Sequence, residues 1–300
     1  MNKGLLYALG AYIAWGLFPI YWKWLHQVDA VQLIGHRISW AFIILIIFVI
    51  FTRQFSALKK AALNRRVLTI YLVAAILIAI NWLVYVWAVN SNFIIETSLG
   101  YFINPLISVL LGVIILHEKL RPFQWVPVIL AASGVIFLTI AYGRLPWIAL
   151  TLAFSFGTYG LVKKISPLGS LYGLTIETGL LFVPAMIYLL YIDRNGTGVF
   201  LHQDLNTNLL LIGAGVITTI PLLMFASAAQ RIPLSMVGIM QYIAPTIQFF
   251  LGVLLYKEPF DKIHFIGFGI VWVALLIFIV EGFLARKNPI LEPIPELGEG

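Results

Sequence analysis

The chain has 300 residues, 61% of them hydrophobic and 10% charged, where a soluble domain averages about 25% charged. That apolar excess excludes a water-soluble core, and the lack of short alternating segments excludes a β-barrel, leaving an all-α integral membrane protein. The absence of cysteine excludes disulfides and thiolate metal sites, and the net charge of +7 does not point to nucleic acid, because the basic residues sit in loops between apolar runs.

Ten apolar stretches predict ten transmembrane helices, at about 4–24, 31–52, 68–90, 95–116, 123–141, 145–163, 170–192, 208–230, 234–256 and 263–284. Each approaches the roughly 20 residues that cross a bilayer at ~1.5 Å per residue. The first stretch is not a cleavable signal: it is too long and lacks a small-residue cleavage site. It also belongs to a repeat, since Ala14, Trp15, Gly16, Phe18 and Lys23 echo as Ser155, Phe156, Gly157, Tyr159 and Lys164. The loop at 53–67 contains RQFSALKKAALNRR. It reads as a basic topology anchor, with an amphipathic seat on anionic headgroups as the alternative. Loop 193–207, DRNGTGVFLHQDLNT, reads as a polar, mobile external loop. Residues 285–300 hold three prolines and three glutamates and read as a disordered cytoplasmic tail.

The repeat is clearest between Ser98–Glu118 and Met236–Glu258. Pro105 aligns with Pro245, Gly112 with Gly252 and Glu118 with Glu258, each at an offset of 140. The chain therefore divides into two five-helix repeats, 3–141 and 144–284. Lysine and arginine number thirteen on one set of loops and five on the other, with Arg37 inside a span. That asymmetry places both termini in the cytoplasm. Five is odd, so the second repeat runs through the membrane upside down relative to the first, the architecture of alternating access.

Paired prolines inside matching spans predict helix breaks at Pro105 and Pro245, because proline removes one backbone hydrogen bond and blocks another. Such breaks mark a binding site, and polar Tyr101, Asn104, Gln241 and Tyr242 lie within a turn of them. Membrane-depth charge is costly and faces the bundle or water. His36 and Arg37 open the second span, and Glu177 sits at matching depth in the seventh. Arg37 and Glu177 are expected to face the central cavity from opposite halves, either paired or binding a charged substrate. Helix-end snorkelling is the structural alternative, and Glu177 and His36 are the candidate proton carriers. Trp15, Trp82, Tyr85, Trp87, Tyr101, Tyr159 and Tyr242 fall within spans, with Asn81 and Asn90 flanking the third-span cluster. Aromatic walls with a few polar groups suit a flat, partly apolar solute. Glu96 reads as a helix cap, Glu118 and Glu258 as structural anchors, and Gly10, Gly16, Gly157, Gly160, Gly213 and Gly215 as sites of close helix packing. The five histidines show no metal-ligand spacing and there is no phosphate-binding glycine loop, so neither an enzyme, a metal site nor a cofactor is predicted.

Several motifs carry a family resemblance: AYIAWGLFPIYWK (11–23), HRISW (36–40), NWLVYVWAVN (81–90), SLGYFINPL (98–106), FSFGTYGLVKK (154–164), IETGLLFVPA (176–185), TTIPLL (218–223) and QYIAPT (241–246). Over roughly residues 3–284 the chain resembles the RarD group of the EamA branch of the drug/metabolite transporter superfamily. The resemblance implies a ten-helix inverted-repeat carrier in a bacterial inner membrane, working without ATP. Its central cavity would be formed by spans one, three, four, six, eight and nine. By motif position, Trp15, Asn81, Trp82, Tyr101, Asn104, Tyr159 and Gln241 would lie near that cavity. Family members move small metabolites, including amino acids and drug-like compounds, often outward. The group's name comes from chloramphenicol sensitivity, which does not make that drug the cargo. The expectation is a secondary exporter or facilitator for a small organic solute, with the lipid bilayer as its other partner. The alternative is a non-transporting membrane sensor or assembly protein. The sequence does not set the oligomeric state.

Overall fold

A computed structural model describes residues 3–91, 93–143, 145–257, 266, 269, 270, 272–278, 280 and 281. Every described element is helical: α1 (Lys3–Trp24), α2 (Ala30–Phe51), α3 (Phe55–Ala62), α4 (Arg65–Asn90), α5 (Ile94–Ile114), α6 (Trp125–Tyr142), α7 (Trp147–Ile165), α8 (Ser170–Arg194), α9 (Leu205–Ala229), α10 (Leu234–Met240) and α11 (Ile243–Phe250). A 3-10 turn precedes α6 and a π-helical turn, Leu251–Leu255, follows α11. Positions 272–278 are also helical. Seven described stretches are long and apolar enough to cross a membrane, the last being Leu234–Leu255.

Two elements differ from the ten-span expectation. The basic loop after α2 contains the short helix α3, which buries Leu58 against Val49, Tyr71 and Ile176 while Lys59 and Lys60 stay exposed. The ninth expected span is split between α10 and α11. The last expected span is described only in part, and Glu258 and the tail lie outside the described residues.

Local chemistry sets the helix ends. Asp29 caps α2, its Oδ1 accepting from the N–H groups of Val31 (2.9 Å) and Gln32 (3.1 Å). Asp204 caps α9 in the same way through Asn206 and Thr207. The Thr207 hydroxyl, reinforced by these N–H groups, holds the Asp204 carboxyl below its usual range. Loop 193–207, expected to be mobile, makes contacts within itself and with α2. Gln32 donates to the Thr197 carbonyl at 2.9 Å, and His202 meets Asp193 at 2.8 Å. Phe200 packs on His36 and Trp40.

The expected helix break at Pro105 is absent: α5 runs continuously past it. In the second repeat the interruption falls at Gln241–Tyr242, one turn before Pro245. Pro245 has no N–H for the carbonyl of residue 241, which accepts instead from the N–H of Ala244 at 3.3 Å, so the lesion lies N-terminal to the proline.

The two repeated stretches pack on each other. Tyr242 donates to the Phe102 carbonyl at 3.0 Å, a contact between residues 140 apart. Gly238 lies against α5 so closely that an added Cβ would sit 2.7 Å from the Pro105 carbonyl oxygen. Gly215 brings α9 similarly close to the α2 backbone at Trp40 and Ala41. The backbone repeats the symmetry, since His117 and Lys257 both adopt φ 53°. At His117 this turn delivers Glu118 to the start of α10, where it accepts from the N–H groups of Leu234 (2.6 Å) and Ser235 (2.9 Å) and from the Ser235 hydroxyl (2.7 Å).

Candidate functional site

A cavity of about 220 Å³ opens inside the bundle. Both halves of the chain line it: Tyr12, Trp15, Phe18 and Trp22 from α1, Arg37 from α2, Asn81, Trp82 and Tyr85 from α4, and Tyr101 and Asn104 from α5. Leu152 and Phe156 of α7 and Thr218 and Leu222 of α9 face them, with Gln241, Ala244, Pro245 and Gln248 around the α10–α11 break. The wall is aromatic, and its polar groups converge on a space suited to a small solute.

Arg37 is the fixed charge of this wall. Its Nε donates to Thr218 Oγ1 at 3.0 Å, and its guanidinium stands 4.8 Å from the ring centres of both Trp22 and Trp82. Such a sandwich attracts the cation while leaving its edge free to bond. Tyr85 and Tyr101 meet edge to face at 5.9 Å. Asn81 is oriented from behind, its amide nitrogen donating to the Leu152 carbonyl (2.9 Å) and Ser155 Oγ (3.0 Å). Gln241 Nε2 donates to Ser108 Oγ at 3.0 Å. Gln241 Oε1 and Asn104 Oδ1 are buried without a hydrogen-bond partner. Gln248 reaches across to the Trp15 carbonyl at 3.0 Å.

Of the sequence candidates, the structure brings together Trp15, Arg37, Asn81, Trp82, Tyr85, Tyr101, Asn104, Gln241 and Pro245. Pro105, Tyr242, Tyr159, His36 and Glu177 lie outside the cavity wall. Pro105 and Tyr242 border a separate apolar crevice of about 10 Å³ between α5, α6 and α10. His36 is covered by Phe200. Trp87 faces outward, stacked on Phe93 and against Trp147. The side chains of Asn90 and Glu96 fall outside the described residues.

Glu177 does not pair with Arg37. Its Oε1 accepts from Lys163 Nζ at 2.7 Å and its Oε2 from the Tyr159 hydroxyl at 3.1 Å. The cluster is fully buried, with the Tyr71 ring 5.4 Å from Lys163 Nζ. Lys163 is one of the thirteen basic residues expected on cytoplasmic loops, but α7 runs on to Ile165 and keeps it inside.

Sequence reasoning missed Tyr12, Phe18, Trp22, Phe156, Thr218 and Gln248. Trp22 carried a signal: a buried arginine with no acidic neighbour in its helix calls for aromatic faces.

The cavity lies toward one end of the bundle. Its lining uses the C-terminal parts of α1 and α4 and the N-terminal parts of α2 and α5. The other end is closed by hydrogen bonds. Tyr12 donates to the Val237 carbonyl, Lys164 to Ile232, and Gln230 to Ser166 and Leu168.

Comparison with known proteins gives this geometry a setting. The model of the EamA-like transporter family matches twice, at residues 2–140 and 145–280. A protein of Bacillus subtilis (strain 168) described as "Uncharacterized transporter YojE" is 48% identical over 92% of this chain and 93% of its own. "Protein RarD" of Streptomyces exfoliatus is 44% identical over 92% of this chain and 88% of its own. "Protein RarD" of Escherichia coli (strain K12) is 42% identical over 96% and 97%. A solved crystal structure superposes with a TM-score of 0.67 at 15% identity, covering 95% of this chain and 99% of that one, which supports the fold alone. The full-length likeness, the double family match and the apolar helices agree: the chain belongs to the EamA-like transporter family and is a membrane transporter related to the RarD proteins.

Proposed function

We propose that the protein is a secondary transporter, an exporter or facilitator, moving small organic solutes by alternating access around the 220 Å³ cavity. The observation that carries this reading is the cavity wall itself. Residues of both repeats converge on one polar-aromatic space inside an apolar bundle, so motion of one repeat against the other would remodel the site. On this reading the chain forms ten spans, as inverted repeats at 3–141 and 144–284, with a cytoplasmic tail from 285. Both termini face the cytoplasm of a bacterial inner membrane, as the distribution of basic residues supports: setting buried Lys163 aside, it is still twelve to five. The bonded end of the cavity would then be cytoplasmic, and the conformation described would face outward. Amino acids and aromatic compounds such as chloramphenicol are the first cargo to test.

The test is counterflow in proteoliposomes preloaded with single unlabelled solutes, with and without a pH gradient. Saturable exchange for one solute class is expected. No exchange across a broad panel by folded protein would overturn the transport reading and favour a sensor or assembly role.

A further inference from the structure

The polar groups of the cavity are of complementary kinds. Arg37 supplies a positive charge, and among the described residues no carboxylate pairs with it or lines the wall. Its known bonds use Nε toward Thr218 and the two indole faces, which leave the terminal nitrogens as donors. Asn104 Oδ1 and Gln241 Oε1 are acceptors without partners, on residues 9% and 6% exposed. Buried acceptors in native proteins are satisfied. Both atoms belong to residues of the cavity wall but are themselves covered, so a ligand donor would meet either one on rotation of its amide. A guanidinium at membrane depth is stabilised when one negative charge neutralises it.

We propose that the cavity selects an organic monoanion, a carboxylate that also carries a hydroxyl or amide N–H, with its charge on Arg37 and its donor on Asn104 or Gln241. The inference rests on the transport reading and narrows its cargo. A single negative charge makes the loaded cavity neutral, whereas a zwitterion leaves it charged and a cation adds repulsion. The surrounding rings of Trp15, Trp82 and Tyr101 suit an apolar or aromatic remainder. Trp22 and Thr218 act as positioning residues for Arg37.

The experiment uses the full chain and a matched set of solutes on one aromatic frame. Mandelate is an anion with a donor, phenylacetate an anion without one, phenylalanine a zwitterion, phenylalaninamide a cation, and chloramphenicol is neutral overall. Binding is read by tryptophan fluorescence and by melting-temperature shift, and transport by counterflow, on the same preparation. Mandelate is expected to bind tightest, with phenylacetate about tenfold weaker for want of the donor. Asn104→Leu or Gln241→Met should erase that difference. Arg37→Gln should weaken mandelate at least tenfold and Arg37→Lys less, since lysine keeps the charge but loses the fork. Should Arg37→Gln fail to fold, Thr218→Val, which removes the acceptor of Nε, is expected to weaken the anions selectively. Equal or tighter binding of phenylalaninamide or chloramphenicol would overturn the proposal, as would unchanged mandelate affinity in Arg37→Gln or no binding by any of the set. Mandelate binding without exchange of any solute would overturn the transport reading and leave the anion site standing. Exchange of phenylalanine that mandelate does not compete would do the reverse.

Discussion

Lys163 and Glu177 meet at 2.7 Å with side chains only 1% and 2% exposed. Removing one partner leaves the other charge buried and unpaired, a loss of about 3–5 kcal/mol. Glu177→Gln is therefore expected to lower the melting temperature by several degrees, and the Lys163→Met/Glu177→Met pair to recover most of it. That pair also separates folding from coupling. If Glu177 carries protons, the folded double variant should lose any stimulation by a pH gradient in counterflow; stimulation retained would assign the cluster a structural role. Trp82 carries two duties, as a face for Arg37 and as cavity wall. Trp82→Leu should weaken binding of aromatic solutes more than aliphatic ones by fluorescence titration, whereas equal losses would mean the ring only packs. The depth of Glu177 was legible in the repeat, but its partner was not. Lys163 and Lys164 are neighbours at a helix end, and consecutive helical side chains point about 100° apart. One enters the bundle and the other bonds the Ile232 carbonyl, a choice set by packing that the dipeptide does not encode.

Among the elements, α5 and the α10–α11 pair hold the repeat together. Both copies carry the proline, and both carry a glycine in the turn before the Gln241–Tyr242 level, at Gly100 and Gly238. Only the second copy breaks. Local sequence thus marks where a break is permitted, and tertiary bonds decide where one forms. The side chain of Gln241 is held by Ser108, and that of Tyr242 by the Phe102 carbonyl. Pro245→Ala permits the missing bond to the residue 241 carbonyl and is expected to straighten the segment, withdrawing Gln241 from the cavity. Transport should fall at least tenfold while the melting temperature is unchanged or rises, given the roughly 3 kcal/mol that an interior proline costs a helix. Gly238→Ala tests the packing directly. Its Cβ would meet the Pro105 carbonyl oxygen at 2.7 Å, a backbone contact that only separation of α10 from α5 can relieve. A loss of about 1–3 kcal/mol in stability is expected, read by thermal melting in detergent. Periodicity made most of the spans legible, but the short helix α3 was not, because eight residues in a basic loop carry one buried anchor, Leu58.

Across the whole molecule, the two halves interlock. Helix α1 packs on α9 and α11, and α7 packs on α4 and α5, so the first helix of each half lies against the other half. On the proposed alternating-access reading, a cavity between such halves faces one side of the membrane at a time, and the proposed orientation says which. The chain has no cysteine, so any introduced thiol is its sole site for maleimide. Asn195 follows α8 and Ser56 is the second residue of α3; both are exposed, and five of the expected spans separate them. An odd number of crossings puts them on opposite faces whatever the absolute orientation. With cytoplasmic termini, a membrane-impermeant maleimide applied to intact cells should label Asn195→Cys and should reach Ser56→Cys only after permeabilisation. The reverse pattern would invert the protein without disturbing the fold, while labelling of both from one side would break the ten-span topology. Tyr101→Cys then reports on the cavity. Because the cavity extends toward the end that carries Asn195, this thiol should react from the same side as Asn195→Cys. A transported solute should slow that reaction, by occupying the site or by turning it to the opposite face.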